Sequence, residues 1–146
     1  MAAQAKSFFS QTDEFLIKDA IRQAESNTSG EIRVHIENNC KGEVLDRAAQ
    51  VFDLLKMQKT ELRNGVLFYL AVKDKKFAIL GDVGINSKVS SDFWDEIKRL
   101  MLEKFKTGDF AVGLSEGILL AGEQLKTHFE HQDDDINELS DEISYS

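Results

Sequence analysis

The run Val66–Val72 is the feature that most limits the possible folds of this chain. Its residues, Val-Leu-Phe-Tyr-Leu-Ala-Val, are apolar at every position and follow a glycine, Gly65. A strand that is apolar on both faces must be covered on both sides, as are the central strands of parallel and mixed sheets. The run is also far too short to span a bilayer. It therefore predicts a buried central strand with helices on both faces of its sheet.

Periodic patterns on either side of this run predict the element order α-β-α-β-β-α-α. Apolar residues recur at helical spacing in residues 10–26, from about 43, in 92–105, and from 109 or 110 to about 129. Glu31–Glu37 alternates strictly between polar and apolar residues, which predicts a strand with one solvated or partly polar face. His35 on that face is expected at the surface or against a helix. The short turn Lys73–Lys76 predicts that Phe77–Leu80 returns antiparallel to the central strand.

This order predicts an α/β protein, a three-layer α/β/α sandwich with a small mixed sheet flanked by helices. A helical crossover joins the first strand to the central strand, which favours a parallel pair. The hairpin then adds an antiparallel strand. In such a sheet the starts of the parallel strands, at Glu31 and at Asn64-Gly65, share one edge with the end of the hairpin strand, at Gly81-Asp82.

Acidic turns mark this edge. Glu31 and Asp82 each lie beside a glycine, and Gly108-Asp109 repeats the pattern at the predicted start of the last helix. Asp109 joins the other two only if that helix begins above the same edge. Carboxylate and amide oxygens are the ligands that Ca²⁺ and Mg²⁺ prefer. Capping of turns and helices is the other role open to these aspartates.

The net charge of −8 is placed unevenly along the chain. Glu130–Ser146 is rich in acids and has no Lys or Arg, so the rest of the chain is nearly neutral. A basic face is not predicted, and nucleic acid is therefore not expected as a partner. The predicted organisation is an N-terminal extension at 1–9, an α/β domain at 10–129, and an acidic flexible tail at 130–146.

The single cysteine, Cys40, excludes an intramolecular disulfide and a zinc site built from cysteines. Met1–Lys18 has no continuous apolar segment of the kind that a secretory signal needs. We therefore expect a soluble cytoplasmic protein with no membrane span.

Four segments carry a resemblance to a known family. They are Ser29–Val34, Arg63–Leu70, Ile79–Ile85 and Phe105–Leu114. In this order and spacing they resemble the TPM domain, a family named for thylakoid-lumen, photosystem-repair and nematode channel-modulator members and widespread in bacteria. The resemblance covers about 10–129. It implies a three-layer α/β sandwich with a divalent-cation site at its loop rim, with Glu31, Asp82 and Asp109 as the acidic positions and Asn64 nearby.

Two functions follow as expectations. The first is a regulatory or accessory binding module that takes up Ca²⁺ or Mg²⁺ through its acidic loops and serves a protein partner. The alternative is a metal-assisted acid phosphatase acting on small phosphate esters, because the family includes a plant member assigned acid phosphatase activity. Asp82 is then the candidate catalytic residue, as nucleophile or as metal ligand. The sequence contains no G-x-x-x-x-G-K-[ST] phosphate loop.

Overall fold

The computed structural model of the protein describes residues 7–131 and 139–146. The elements, in chain order, are α1 (Gln11–Asn27), β1 (Glu31–Glu37), α2 (Val44–Leu54), a 3₁₀ turn (Met57–Lys59), β2 (Gly65–Ala71), β3 (Lys76–Gly81), α3 (Val83–Asn86), α4 (Asp95–Lys106), α5 (Phe110–Leu125) and β4 (Ser144–Tyr145). The predicted helices and strands are all present, and the short elements α3 and β4 are additional.

The strands form one mixed sheet in the order β3-β2-β1-β4. β1 and β2 pair in parallel, beginning with Glu31 opposite Gly65. β3 runs antiparallel to β2 and places Gly81 opposite Val66. The starts of β1 and β2 and the end of β3 therefore share one edge, as predicted. We call this edge, formed by residues 29–31, 63–65 and 81–84, the rim.

Helices cover both faces of the sheet, as the apolar central run predicts. On one face, alternate residues of β2 such as Phe68 pack with α1, α4 and α5. On the other face, Leu67 and Tyr69 pack under α2. The protein is therefore a three-layer α/β/α sandwich. No helix in the described part of the chain is long and apolar enough to cross a bilayer.

Close helix packing explains a glycine in the middle of α5. A Cβ atom at Gly122 would lie 2.7 Å from the Cα atom of Ala24 in α1. Real Cβ contacts are never so short, so only glycine lets these two helices approach to this distance. The helices α1 and α5 therefore pack closely together in the layer that covers one face of the sheet.

The polar face of β1 is buried, so of the two alternatives that the sequence left open, a solvated face or a partly polar one, the structure shows the partly polar one. Glu31, His35 and Glu37 are all buried. Arg47 of α2 reaches Glu37, and residues 139–146 cover Glu31 and His35. Strict alternation identifies two faces of a strand, but it does not reveal that distant polar groups cover one of them.

Residues 139–146, the last part of the predicted acidic tail, pack against the α/β domain. Ser144 and Tyr145 form β4, which pairs in parallel with β1. Leu139 and Ile143 are buried, one in each of the two cores. The acidic composition of the tail gave no indication that these two apolar residues are buried. Residues 132–138 of the tail and 1–6 of the N-terminal extension lie outside the described residues, and the domain limits at 10 and 129 stay predictions.

Candidate functional site

A cleft of about 570 Å³ opens at the rim, between α2 and the end of β3. Its apolar surface includes Phe52 and Leu80, and its polar side chains are those of Gln50, Asp53, Gln58, Arg63 and Asp82. We call it the rim cleft. Of the predicted site residues, only Asp82 lines it.

Asp82 has two partners in the rim cleft. Its carboxylate accepts the N–H of Val83 at 2.7 Å and so caps α3. It also accepts two hydrogen bonds from the guanidinium of Arg63, with Nε to Oδ2 at 2.8 Å and Nη2 to Oδ1 at 2.9 Å. The Asp82 side chain is 4% exposed, whereas that of Arg63 is 45% exposed. Arg63 therefore neutralises a buried carboxylate while presenting part of its own charge to solvent.

The backbone of the rim holds Arg63 in place. Arg63 has a φ of 51°, in the left-handed region, which costs an L-residue roughly 1–2 kcal/mol. Its carbonyl accepts the N–H of Gly84 at 2.9 Å, and the N–H of Asp82 bonds to Gly65 O at 3.0 Å. These bonds join the turn before β2 to the turn after β3, so the ion pair is built into the connection between them.

Asp53 and Gln58 supply further oxygens to the rim cleft. The Nε2 atom of Gln58 donates to Oδ1 of Asp53 at 3.1 Å. Among the described residues, the Oε1 atom of Gln58 is buried and has no hydrogen-bond partner. Sequence reasoning missed both residues, because the periodicity of α2 assigns a face to Asp53 but does not reveal the loop that approaches it.

Glu31 and Asn64 lie at the rim but do not line the rim cleft. The Glu31 carboxylate accepts the backbone N–H of Leu139 at 2.6 Å. The Asn64 side chain donates to the carbonyl of Ser29 at 3.1 Å, and its backbone N–H bonds to Thr60 Oγ1 at 3.1 Å. Both side chains thus join chain segments inside the fold.

Asp109 does not lie at the rim, in contrast to its expected placement. It borders a hollow with Phe9 and Asp13, beside the start of α1. The rim lies at the other end of α5, where Phe129 O accepts the N–H of Ser29 at 2.9 Å. A helix of 16 residues spans about 24 Å. Helix α5 therefore begins at the end of the domain away from the rim, whereas the metal hypothesis required it to begin above the rim.

These placements decide whether the four expected ligands fit one cation. In residues 7–131 and 139–146, no three His, Cys, Asp or Glu side chains are placed to hold a metal ion together. The set Glu31, Asn64, Asp82 and Asp109 therefore does not fit as a single site. Only Asp82 among them lines the rim cleft, whose lining also includes Asp53 and Gln58.

A second carboxylate group near the rim was not foreseen. Glu25 accepts the N–H of Ile32 at 2.9 Å through Oε2 and is hydrogen-bonded to Asp141. Burial raises the pKa of Glu25 to about 9, and the hydrogen bond to Asp141 and the charges of Asp141 and Glu31 act in the same direction. Glu25 therefore keeps its proton at neutral pH and donates a hydrogen bond to Asp141. No local pattern pairs residues so far apart in the chain.

Replacing Glu25 with glutamine is expected to raise stability more as the pH increases. The native state holds the Glu25 proton up to about pH 9, whereas the unfolded chain loses it near its ordinary value of 4.5. The contribution of Glu25 to the free energy of unfolding is therefore fully present below pH 4.5. It falls as the pH rises to about 9, by up to about 1.4 kcal/mol per pH unit. Glutamine does not titrate.

Thermal unfolding of the wild type and Glu25→Gln at pH 5, 7 and 9 tests this prediction. Glu123→Gln on α5 is the matched control, because it makes the same substitution at an exposed position. A constant difference between Glu25→Gln and the wild type would show that Glu25 titrates normally.

A buried polar network surrounds Glu37 at the end of β1. Arg47 donates from Nε and Nη2, each at 2.8 Å, Ser146 donates from Oγ at 2.8 Å, and the Tyr69 hydroxyl completes the set. Burial opposes ionisation of Glu37, but the hydrogen bonds from these three residues outweigh it and lower its pKa to about 2. The carboxylate is thus held as an anion inside the fold.

His35 joins this network to the C-terminal segment. Its Nδ1 and Nε2 atoms lie 2.7 Å from the hydroxyl oxygens of Ser144 and Ser146 respectively. Burial lowers the pKa of His35 to about 4, although the charge of Glu37 opposes the shift. His35 is therefore neutral at physiological pH, and each ring nitrogen has a hydroxyl partner.

The fold and its rim define a known class of α/β domain. The TPM domain family model matches residues 3–124, and the chain belongs to that family. The chain is 49% identical to the BA42 protein of the psychrophilic bacterium Bizionia argentinensis, with 99% of both chains covered and a TM-score of 0.92. No curated protein matches the chain.

Two further solved structures share the fold. The N-terminal domain of a protein from P. gingivalis has 19% identity and a TM-score of 0.70, with 86% of this chain and 83% of that chain covered. The N-terminal domain of the cg2496 protein of Corynebacterium glutamicum has 13% identity and a TM-score of 0.64, with coverage of 92% and 79%. At these identities the likeness extends to the fold alone.

Proposed function

We propose that this TPM domain is an accessory binding module that takes a divalent cation, Ca²⁺ or Mg²⁺, into the rim cleft. The observation that carries the proposal is that Asp82, Asp53 and Gln58 line one open cleft. Carboxylate and amide oxygens are the ligands these cations prefer. A protein partner and a cytoplasmic location remain predictions from the sequence.

Arg63 determines how strongly a cation can bind. Its guanidinium already occupies both oxygens of Asp82, so a cation must displace it or share the carboxylate with it. Ca²⁺ accepts irregular coordination, and Mg²⁺ keeps several waters and needs only one or two carboxylates. With two carboxylates and this competitor, we expect a dissociation constant on the order of 10⁻³ M.

Titration of the full chain with Ca²⁺ and Mg²⁺, followed by amide chemical shifts, tests the proposal. Asp82→Asn should abolish the shifts at the rim. Arg63→Gln should bind about tenfold more tightly, because the competing charge is removed, and tenfold corresponds to about 1.4 kcal/mol. Asp109→Asn is the matched control and should bind as the wild type does. Equal binding by Asp82→Asn and the wild type would contradict the proposal.

A metal-assisted acid phosphatase is the second proposal. The observation that favours it is the part-exposed guanidinium of Arg63, which lies in the rim cleft beside Asp82. A guanidinium matches two phosphate oxygens in geometry and charge. A bound cation would polarise the phosphoryl oxygen and lower the pKa of its water. Arg63 would orient the ester, and Asp82 stays the candidate catalytic residue.

Hydrolysis of an aryl phosphate with and without Mg²⁺ tests the phosphatase proposal. The wild type should hydrolyse the ester faster with Mg²⁺ present, and Asp82→Asn should lose at least about a hundredfold in rate, as is usual for a group that acts in the chemical step. Asp109→Asn should retain the full rate. Identical background rates in the wild type and Asp82→Asn would remove the enzyme proposal and leave the cation proposal standing.

A further inference from the structure

The outer edge of β1 is closed by the C-terminal segment, residues 139–146. β4 contributes only Ser144 and Tyr145 to the sheet. The N–H of Ser146 donates to Ile36 O at 3.1 Å, and Ser144 Oγ lies 3.1 Å from Val34 O. A bare strand edge is a template for pairing with another strand. The segment therefore occupies a position that any extended chain of suitable sequence could take.

Side chains make this edge selective. The two ring nitrogens of His35 contact the hydroxyls of Ser144 and Ser146, which are two residues apart in the chain. The Ser146 hydroxyl also donates a hydrogen bond to Glu37 at 2.8 Å. The Tyr145 hydroxyl donates to Glu14 of α1. Because alternate residues of a strand point to opposite faces, this pattern fixes both the register and the direction of the segment.

Two apolar anchors complete the fit. Ile143 packs in the core on the α1 side of the sheet, and Leu139 packs in the core under α2. The Leu139 N–H is bound by the Glu31 carboxylate at 2.6 Å, and Lys18 pairs with Glu142 at 3.0 Å. The segment thus behaves as a short peptide ligand with anchors in both layers.

We propose that the outer edge of β1 is a peptide-binding groove for the C-terminal segment of a second copy of this chain. In the monomer, the groove is occupied by the C-terminal segment of the same chain. When two copies exchange these segments, they form a strand-swapped dimer. A second copy is the occupant because the serine spacing, the tyrosine and both apolar anchors match this sequence. Addition of a strand to an exposed sheet edge is a recurring mode of peptide recognition.

Mass action sets the concentration at which exchange occurs. A segment tethered to its own groove by a short connection competes with an effective concentration in the millimolar range. A second copy therefore replaces it only near that concentration, or when the tethered segment is impaired. The chain should be monomeric at micromolar concentration.

The experiment uses full-length chains. In the acceptor, Ile143→Asp places a charge in the core and releases the tethered segment while the groove stays intact. A synthetic peptide of residues 139–146 should shift the amide of Ile36 and the ring of His35 in the ¹⁵N-labelled acceptor. The same peptide with Ser144→Ala and Ser146→Ala should bind at least tenfold more weakly. If the acceptor does not fold, the full chain with Ser144→Ala and Ser146→Ala takes its place.

A mixture of two full-length chains tests whether a second copy of the chain is the occupant of the groove. Unlabelled wild type added to the labelled acceptor near 1 mM, within the millimolar range of a short tether, should produce the peptide-bound shifts and a particle of two chains by sedimentation. Absence of shifts with the peptide would overturn the groove. Peptide binding without any complex between whole chains would overturn the second copy as occupant and leave a segment of another protein.

Discussion

Replacing Arg47 with alanine is expected to destabilise the fold by about 3 kcal/mol, the largest effect of any single side-chain truncation considered. Glu37 is 6% exposed and receives two hydrogen bonds from Arg47. Removal of the guanidinium leaves a buried carboxylate with only neutral donors. Breaking a buried ion pair from one side is costly because the remaining charge is uncompensated. Urea unfolding of the wild type and Arg47→Ala measures the difference.

Two companion variants separate charge from packing. Glu37→Gln combined with Arg47→Ala removes the stranded charge and should recover part of the lost stability. Arg47→Lys keeps the charge without the planar fork and should fall between the wild type and Arg47→Ala. If Arg47→Ala unfolds within about 0.5 kcal/mol of the wild type, in the range of surface substitutions, the network around Glu37 does not stabilise the fold.

Replacing Gly84 with alanine is expected to disrupt the rim. The new Cβ atom would lie 2.1 Å from Leu62 O and 2.5 Å from Arg63 O, and both are backbone atoms that cannot rotate away. The turn that holds Arg63 must therefore move, at a cost of about 3 kcal/mol. The bond from Gly84 N to Arg63 O and the Arg63–Asp82 pair belong to the same turn. The free energy of unfolding should therefore fall.

Gly30→Ala is the matched control at the same rim. Its Cβ atom would lie 3.4 Å from a side-chain atom of Leu125, which is an ordinary contact. Thermal unfolding should separate the two variants by several degrees, since about 1 kcal/mol shifts the melting temperature of a domain this size by roughly 2–8 °C. Equal melting temperatures for Gly84→Ala and Gly30→Ala would show that the rim turn adapts without cost.

The topology of the rim could be predicted from sequence because each step is local. The apolar run fixes β2 as the central strand, the crossover fixes β1 as its parallel neighbour, and the four-residue turn fixes β3. These relations bring Glu31, Asn64 and Asp82 to one edge without knowledge of any side-chain contact. The prediction therefore held at the level of the backbone.

Contacts between distant segments could not be predicted in this way. The position of Asp109 depends on the direction in which α5 packs, and periodicity contains no information about direction. Leu139 and Ile143 are single apolar residues in an acidic stretch, so no repeating pattern marks them. Gln58 enters the rim cleft because a 3₁₀ turn follows α2. Arg63 lies just before the predicted start of the central strand, but its pairing with Asp82 depends on the folded loop.

The most direct test of the cation proposal is a map of where a paramagnetic cation binds. Mn²⁺ prefers the same oxygen ligands as Mg²⁺ and Ca²⁺ and broadens amide signals close to it. The cation proposal predicts that substoichiometric Mn²⁺ broadens the amides of Gly81–Val83, Asp53 and Gln58, and leaves those of Gly108 and Asp109 sharp. Broadening confined to Gly108 and Asp109, or no selective broadening anywhere, would contradict it.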